Sequence, residues 1–123
     1  MKKTIAAGPV APGTPYSPAV LTGNTLYVSG QLPLDAAGQM PENVAGQTRC
    51  CMENVKALVE QAGFTMADVV KTTVYMTDFS KFGEMNAVYA GFFSGVMPAR
   101  CACQVSGLAK GAGVEIDCIA VKD

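Results

Sequence analysis

Apolar positions between Asn43 and Ala62 recur at helical spacing. Val44, Cys51, Val55, Leu58, Val59 and Ala62 form one stripe, while Arg49, Glu53, Lys56 and Glu60 fall on the opposite side. The pattern predicts an amphipathic helix with Asn43 as N-cap and Gly63 as its stop. Val69 to Met76 alternates instead, with Val70, Thr72, Val74 and Met76 on one side and Val69, Lys71, Thr73 and Tyr75 on the other, which predicts a half-buried strand. Ala19 to Thr22 and Thr25 to Ser29 are short β-prone runs joined by Gly23-Asn24, the signature of a tight hairpin, and a loop rich in Pro, Gly and Asp (Leu32 to Pro41) follows. Ser80 is placed to cap a second helix running to Phe93, with Phe82, Met85, Tyr89, Phe92 and Phe93 as its stripe. Beyond Gly95 and Pro98, two further strands are expected, Ala99 to Val105 and Val114 to Val121, joined by a glycine-rich turn.

The expected order is thus β-β-α-β-α-β-β, an α+β arrangement in which two helices can cover only one face of a mixed sheet. The opposite face must be wet or must meet another subunit. A mean hydropathy of +0.25 favours the second choice, as does a charged fraction of 15%, so this face is expected to be too apolar to stay exposed. With 123 residues, half of them apolar, residues 1–123 are expected to form a single domain around one core.

Charge is balanced, 9 Lys plus Arg against 10 Asp plus Glu, with no basic block, so the electrostatic footprint of a nucleic-acid binder is missing. Pro9, Pro12 and Pro15 interrupt the N-terminal region where a signal peptide needs an unbroken apolar run, and no apolar run approaches the roughly 20 residues that cross a bilayer. A cytoplasmic location without membrane association is expected. Five cysteines without a secretion signal suit reduced thiols better than a disulfide framework. The absence of histidine excludes a Ser-His-Asp triad, a Cys-His nucleophile and the usual His-bearing zinc sites. Chemistry falls to carboxylate, arginine, hydroxyl, thiol or backbone groups.

Between Glu84 and Glu115 the only charged residues are Arg100 and Lys110. A guanidinium in so apolar a stretch needs an anion. It can pair with a protein carboxylate, snorkel to water, or hold a ligand's carboxylate in its planar fork. Glu115 lies near the start of the largely apolar last strand, either as a solvated position or as a site residue. If Val105 lies opposite Val114, Arg100 and Glu115 project from the same side of the sheet. Asn86 interrupts the stripe of the second helix, and its amide must find either a buried backbone group or a ligand. Tyr16, held extended between Pro15 and Ser17-Pro18, can pack at an interface or line a pocket, and Gly30, after Ser29, allows a close ligand approach. Cys101 and Cys103 share a strand face, with Cys118 placed across from them, but no fourth zinc ligand is apparent and core packing is the better account.

The segments Tyr16-Ser17-Pro18-Ala19-Val20, Leu26-Tyr27-Val28-Ser29-Gly30-Gln31, Asn54-Val55-Lys56, Val70-Lys71-Thr72-Thr73-Val74-Tyr75, Asn86-Ala87-Val88-Tyr89, Pro98-Ala99-Arg100 and Val114-Glu115-Ile116 resemble, in order, the motifs of the reactive-intermediate deaminase (RidA, YjgF-like) family. The resemblance implies a fold similar to bacterial chorismate mutase, three copies of which close through their open sheet faces into a barrel. It implies hydrolysis of 2-imino acids such as 2-iminobutanoate and 2-iminopropanoate to 2-keto acids and ammonia, with no metal or organic cofactor, in a homotrimer whose partner is the small-molecule 2-imino or 2-keto acid. Carried over by position, Arg100 holds the substrate carboxylate and Glu115 positions the attacking water. Tyr16, Ser29, Gly30 and Asn86 line the pocket across the subunit boundary. The family's usual cysteine two positions after the arginine is Ala102 here, its usual proline at 109 is Ala109, the first motif has Pro18 in place of Gln, and the loop before Pro98 is short. Two other readings stand beside this one: a non-catalytic sensor or chaperone-like binder that uses the same cleft for 2-keto acids, and the family's older label of translation-inhibiting endoribonuclease. The second is weakened by the lack of histidine and by a pI near 5.3.

Overall fold

The computed structural model describes residues Met1–Asp123. Six strands form one mixed sheet: β1 (Lys3–Ile5), β2 (Ala19–Thr22), β3 (Thr25–Gln31), β4 (Val69–Met76), β5 (Ala99–Gln104) and β6 (Val114–Val121), in the spatial order β1-β2-β3-β6-β4-β5. All neighbours are antiparallel except β4 and β5, which run parallel. Two helices, α1 (Val44–Gln61) and α2 (Phe82–Ala90), complete the fold.

α1 begins and ends as its sequence demands. The Asn43 side chain accepts the Gly46 N–H at 2.7 Å, and Gly63, at φ 84°, takes the left-handed conformation that ends the helix cheaply. Its stripe of Cys51, Val55, Leu58 and Val59 is buried with Met52 over β3 and β6, together with Leu26, Val28, Ile116 and Ala120. β6 sits mid-sheet and alternates without a break. Val114, Ile116, Cys118 and Ala120 enter the core, while Glu115, Asp117, Ile119 and Val121 lie half-exposed on the other face.

The structure departs from the sequence pattern at five places. β1 was not anticipated; its three residues are largely exposed and carry no apolar alternation, and only pairing with β2 defines them. In β4 a register shift between Val69 and Lys71 turns Val69 inward with Thr72, Val74 and Met76 and leaves Val70 47% exposed, because a bulge adds one residue and inverts the alternation beyond it. Ser80 does not cap α2. Asp78 accepts the Ser80 N–H at 2.9 Å, ahead of a single 3₁₀ turn at Phe79–Lys81 that leads into the helix. α2 stops at Ala90, not Phe93; the N–H groups of Phe92 and Phe93 close tight turns onto Tyr89 and Ala90, and the Phe93 ring packs 5.1 Å from that of Tyr89. Lastly, β5 and β6 are not neighbours, since β4 runs between them.

Both helices lie on one face. The open face is more polar than its composition suggested: Thr73, Tyr75, Glu115 and Asp117 occupy its middle, and Tyr27, Ile119 and Val121 its more apolar end.

Candidate functional site

At the end of β3 the chain is latched to the segment before β2. The Ser29 N–H donates to the Pro18 carbonyl at 2.9 Å and the Ser29 hydroxyl to the Ser17 carbonyl at 2.7 Å. This places Tyr16, 64% exposed, at the lip of a cleft of about 260 Å³ lined with Pro18, Gly30, Gln31, Leu32, Leu34 and Asn54. Asn54 shapes its floor by donating from one amide to the Leu32 and Leu34 carbonyls, at 3.0 and 2.9 Å.

A register shift between Val28 and Gln31 sets Gly30 out of the ladder with β6 and against Glu115. A Cβ on Gly30 would fall within the Glu115 carboxylate, so glycine is what allows that carboxylate to rest there. Burial raises the Glu115 carboxyl above the usual carboxylate range, and the nearby charge of Asp117 raises it further. Gly30→Ala is expected to keep the fold, because the obstructing atoms end a flexible side chain, and to turn Glu115 aside. A crystal structure of the variant checks this by the position of the carboxylate.

A second cleft, of about 360 Å³, opens between α2 and β5 and is lined by Asn86, Tyr89, Ala90, Met97, Pro98 and Arg100. Arg100 Nη1 donates to Asn86 Oδ1 at 2.7 Å, and the guanidinium carbon lies 4.9 Å from the Tyr89 ring centre and 5.4 Å from that of Phe82. The Tyr89 hydroxyl is fixed in turn by a 2.6 Å hydrogen bond with Thr72. The chain's one ion pair is Lys81 with Glu84, at 3.7 Å, so no protein carboxylate serves Arg100. Asn86 therefore finds its partner neither in buried backbone nor only in a ligand, but in Arg100. One of five guanidinium N–H donors is engaged, and the rest of the fork is open to an anion.

The six candidate residues fall into two groups. Tyr16, Ser29, Gly30 and Glu115 gather at one place, Asn86 and Arg100 at another. The expectation that Arg100 and Glu115 share a side is not met. Arg100 is in register with Thr72 on the helix face, whereas Glu115 is in register with Tyr75 on the open face. The same interposed β4 separates the thiols. Cys101 and Cys103 align with Thr73 and Tyr75 toward the open face, while Cys118 lies in the core, where burial pushes its thiol up to about 12. Sequence reasoning missed Phe82 and Tyr89 as walls around Arg100, having read both as core stripe, and missed the Asn54 contacts, whose only sign was a polar residue beside Val55.

The chain matches the family model described as Endoribonuclease L-PSP over residues 7–122. An Escherichia coli protein named 2-iminobutanoate/2-iminopropanoate deaminase is 43% identical over 128 residues, covering 99% of both chains. A RutC family protein of Pyrococcus horikoshii is 44% identical over 111 residues, 89% of this chain and 88% of its own. Among solved structures, the YjgF gene product of E. coli superposes with a TM-score of 0.92 at 42% identity, over 98% of this chain and 99% of its own. E. coli TdcF with bound serine does so at 0.92 and 38% identity, with the same coverage. Matching along nearly its whole length in both sequence and fold, the chain belongs to the Endoribonuclease L-PSP family, the group of the RutC and YjgF proteins.

Proposed function

We propose that the chain hydrolyses 2-imino acids, 2-iminobutanoate and 2-iminopropanoate among them, to 2-keto acids and ammonia. The observation that carries this is Arg100: a guanidinium oriented by Asn86, backed by two aromatic rings and without a protein carboxylate, facing a cleft of small-metabolite size. Its natural partner is the carboxylate of the substrate. The relative named as a 2-iminobutanoate/2-iminopropanoate deaminase, 43% identical from end to end, supports the same chemistry.

A protonated imine carbon is already electrophilic, so the site has mainly to orient it. Arg100 fixes the carboxylate, and Glu115 takes a proton as water adds to the carbon. That proton passes to the nitrogen, Glu115 takes the remaining hydroxyl proton as the C=O bond forms and the C–N bond breaks, ammonia and a 2-keto acid leave, and the proton is released to solvent. Tyr16, Ser29 and Gly30 shape the wall beside Glu115. The Ser29 hydroxyl proton is committed to Ser17, which leaves its oxygen as an acceptor.

Since Arg100 and Glu115 lie on opposite faces of one sheet, a complete site takes Arg100 and Asn86 from one copy and Glu115, Gly30 and Tyr16 from another. Closure of three copies through their open faces would supply three such sites. Sedimentation at micromolar concentration is expected to give three times the chain mass of 12.7 kDa; a monomer at that concentration would defeat the shared site. No helix is long and apolar enough to cross a membrane, and the five free thiols suit a cytoplasmic enzyme.

The test is ammonia release from freshly generated 2-iminobutanoate and 2-iminopropanoate, scored against the spontaneous rate. Binding of the 2-keto acid without acceleration would establish a sensor instead. Cleavage of single-stranded RNA that Arg100→Ala abolishes would establish the nuclease.

A further inference from the structure

β6 carries two carboxylates on the open face, Glu115 and Asp117, separated by the buried Ile116. Residues two apart on a strand project to the same side, with side chains rooted roughly 7 Å apart, so each feels the other's charge. Across the ladder, Tyr75 of β4 stands opposite Glu115 and Thr73 opposite Asp117. The Tyr75 hydroxyl reaches diagonally to donate to Asp117 Oδ2 at 3.2 Å. Its ring stands beside Glu115 while its hydroxyl holds Asp117.

Within its own chain the other groups around Glu115 do not offset that charge, and the Arg100 that the proposed assembly brings from another copy is common to the parent and to each variant compared below. β3 brings the uncharged Ser29, Gly30 and Gln31, and β5 brings Cys103, in register with Tyr75. Behind the sheet, α1 brings Cys51, whose thiol burial holds in its protonated form. The cation of this face, Lys71, lies in register with Ile119, beyond Asp117 as seen from Glu115.

We propose that Asp117, held by Tyr75, is a positioning residue for the reaction: it fixes a second negative charge beside Glu115 and keeps that carboxylate ready to take a proton from the attacking water. This rests on Glu115 as the proton acceptor. The direction agrees with the Glu115 carboxyl, which burial raises first and Asp117 second. Tyr75 is suited to its part, since burial and then the Asp117 charge push its phenol up and keep it a donor through the neutral range.

The test follows kcat/KM for 2-iminobutanoate, above the spontaneous rate, from about pH 5 to about pH 8 in the parent and in Asp117→Asn, Asp117→Glu, Tyr75→Phe and Glu115→Gln. In parallel, carbon NMR follows the Glu115 side-chain carboxyl without substrate. Asp117→Asn is expected to move both the acid limb and the Glu115 titration to lower pH, raising the acid-end rate relative to the plateau about threefold. Tyr75→Phe should move them less in the same direction, and Asp117→Glu should restore the parent profile. A folded, assembled Asp117→Asn whose Glu115 titrates as in the parent would overturn the proposal. If Asp117→Asn does not assemble, an unmoved titration in Tyr75→Phe overturns it instead. An acid limb that persists in Glu115→Gln would show that Glu115 is not the proton acceptor, which sinks the reaction scheme separately.

Discussion

Arg100→Lys is expected to fold and assemble like the parent and to lose roughly thirty-fold to several hundred-fold in turnover efficiency, the equivalent of about 2 to 4 kcal/mol for a bidentate charge-assisted pair in a partly dry cleft. A lysine supplies a point charge where the guanidinium supplies a planar fork, and its tetrahedral donors cannot make the two parallel bonds by which the fork grips a carboxylate while Nη1 meets Asn86. Arg100→Ala should fall further. Arg100→Ala should cost no more than about 1 to 2 kcal/mol of stability and Arg100→Lys less, because Arg100 has no protein carboxylate to leave unpaired and its contacts with Tyr89 and Phe82 are partly exposed, worth about 0.5 to 1 kcal/mol each. Melting temperature, assembly size and 2-iminopropanoate hydrolysis, measured on the same preparations, check this. Near-normal hydrolysis by folded, assembled Arg100→Ala would remove Arg100 from the site and most of the scheme with it.

Glu115→Gln should cost about a hundred-fold to ten-thousand-fold in kcat, the usual range for a lost general base. The amide keeps the shape that rests against Gly30, so the loss would be one of proton acceptance and not of packing. The pH dependence gives the sharper readout. Burial and Asp117 raise the Glu115 carboxyl, so the parent's rate should climb with pH through a point above the usual carboxylate range, and the glutamine variant should lack that climb. Stability runs the other way. A carboxyl whose proton is held more tightly in the folded chain contributes most below its unfolded value, and the contribution is lost as pH rises through the folded one. Glu115→Gln should therefore be no less stable than the parent at neutral pH. A pH–rate profile for the variant that parallels the parent's would exclude Glu115 as the base.

Much of the local architecture was legible along the chain because it obeys short-range rules. The Asn43 cap, the stripe of α1 and the Gly63 stop lie within one helix, where period and cap chemistry are set by neighbours a turn away. The same holds for the Gly23-Asn24 hairpin and for β6, whose strict alternation puts Glu115 outside the core by parity alone. The isolation of Arg100 among apolar residues marked it as a cation in need of an anion.

Tertiary structure decided what parity cannot. Alternation says which residues of one strand share a face, but the face a strand turns toward its neighbours depends on pairing partner, direction and register. With β4 inserted between β5 and β6, Arg100 joins Thr72 beneath α2 while Glu115 joins Tyr75 on the open face, which divides the candidate site between two surfaces. The β4 bulge, which exchanged Val69 for Val70 in the core, is likewise a property of pairing with β6 and leaves no mark in composition. So are the Asn86 bond to Arg100 and the approach of Glu115 to Gly30, each made between elements distant in sequence: strand parity and helix caps are fixed by neighbouring residues, whereas the meeting of these groups depends on how the whole sheet is ordered.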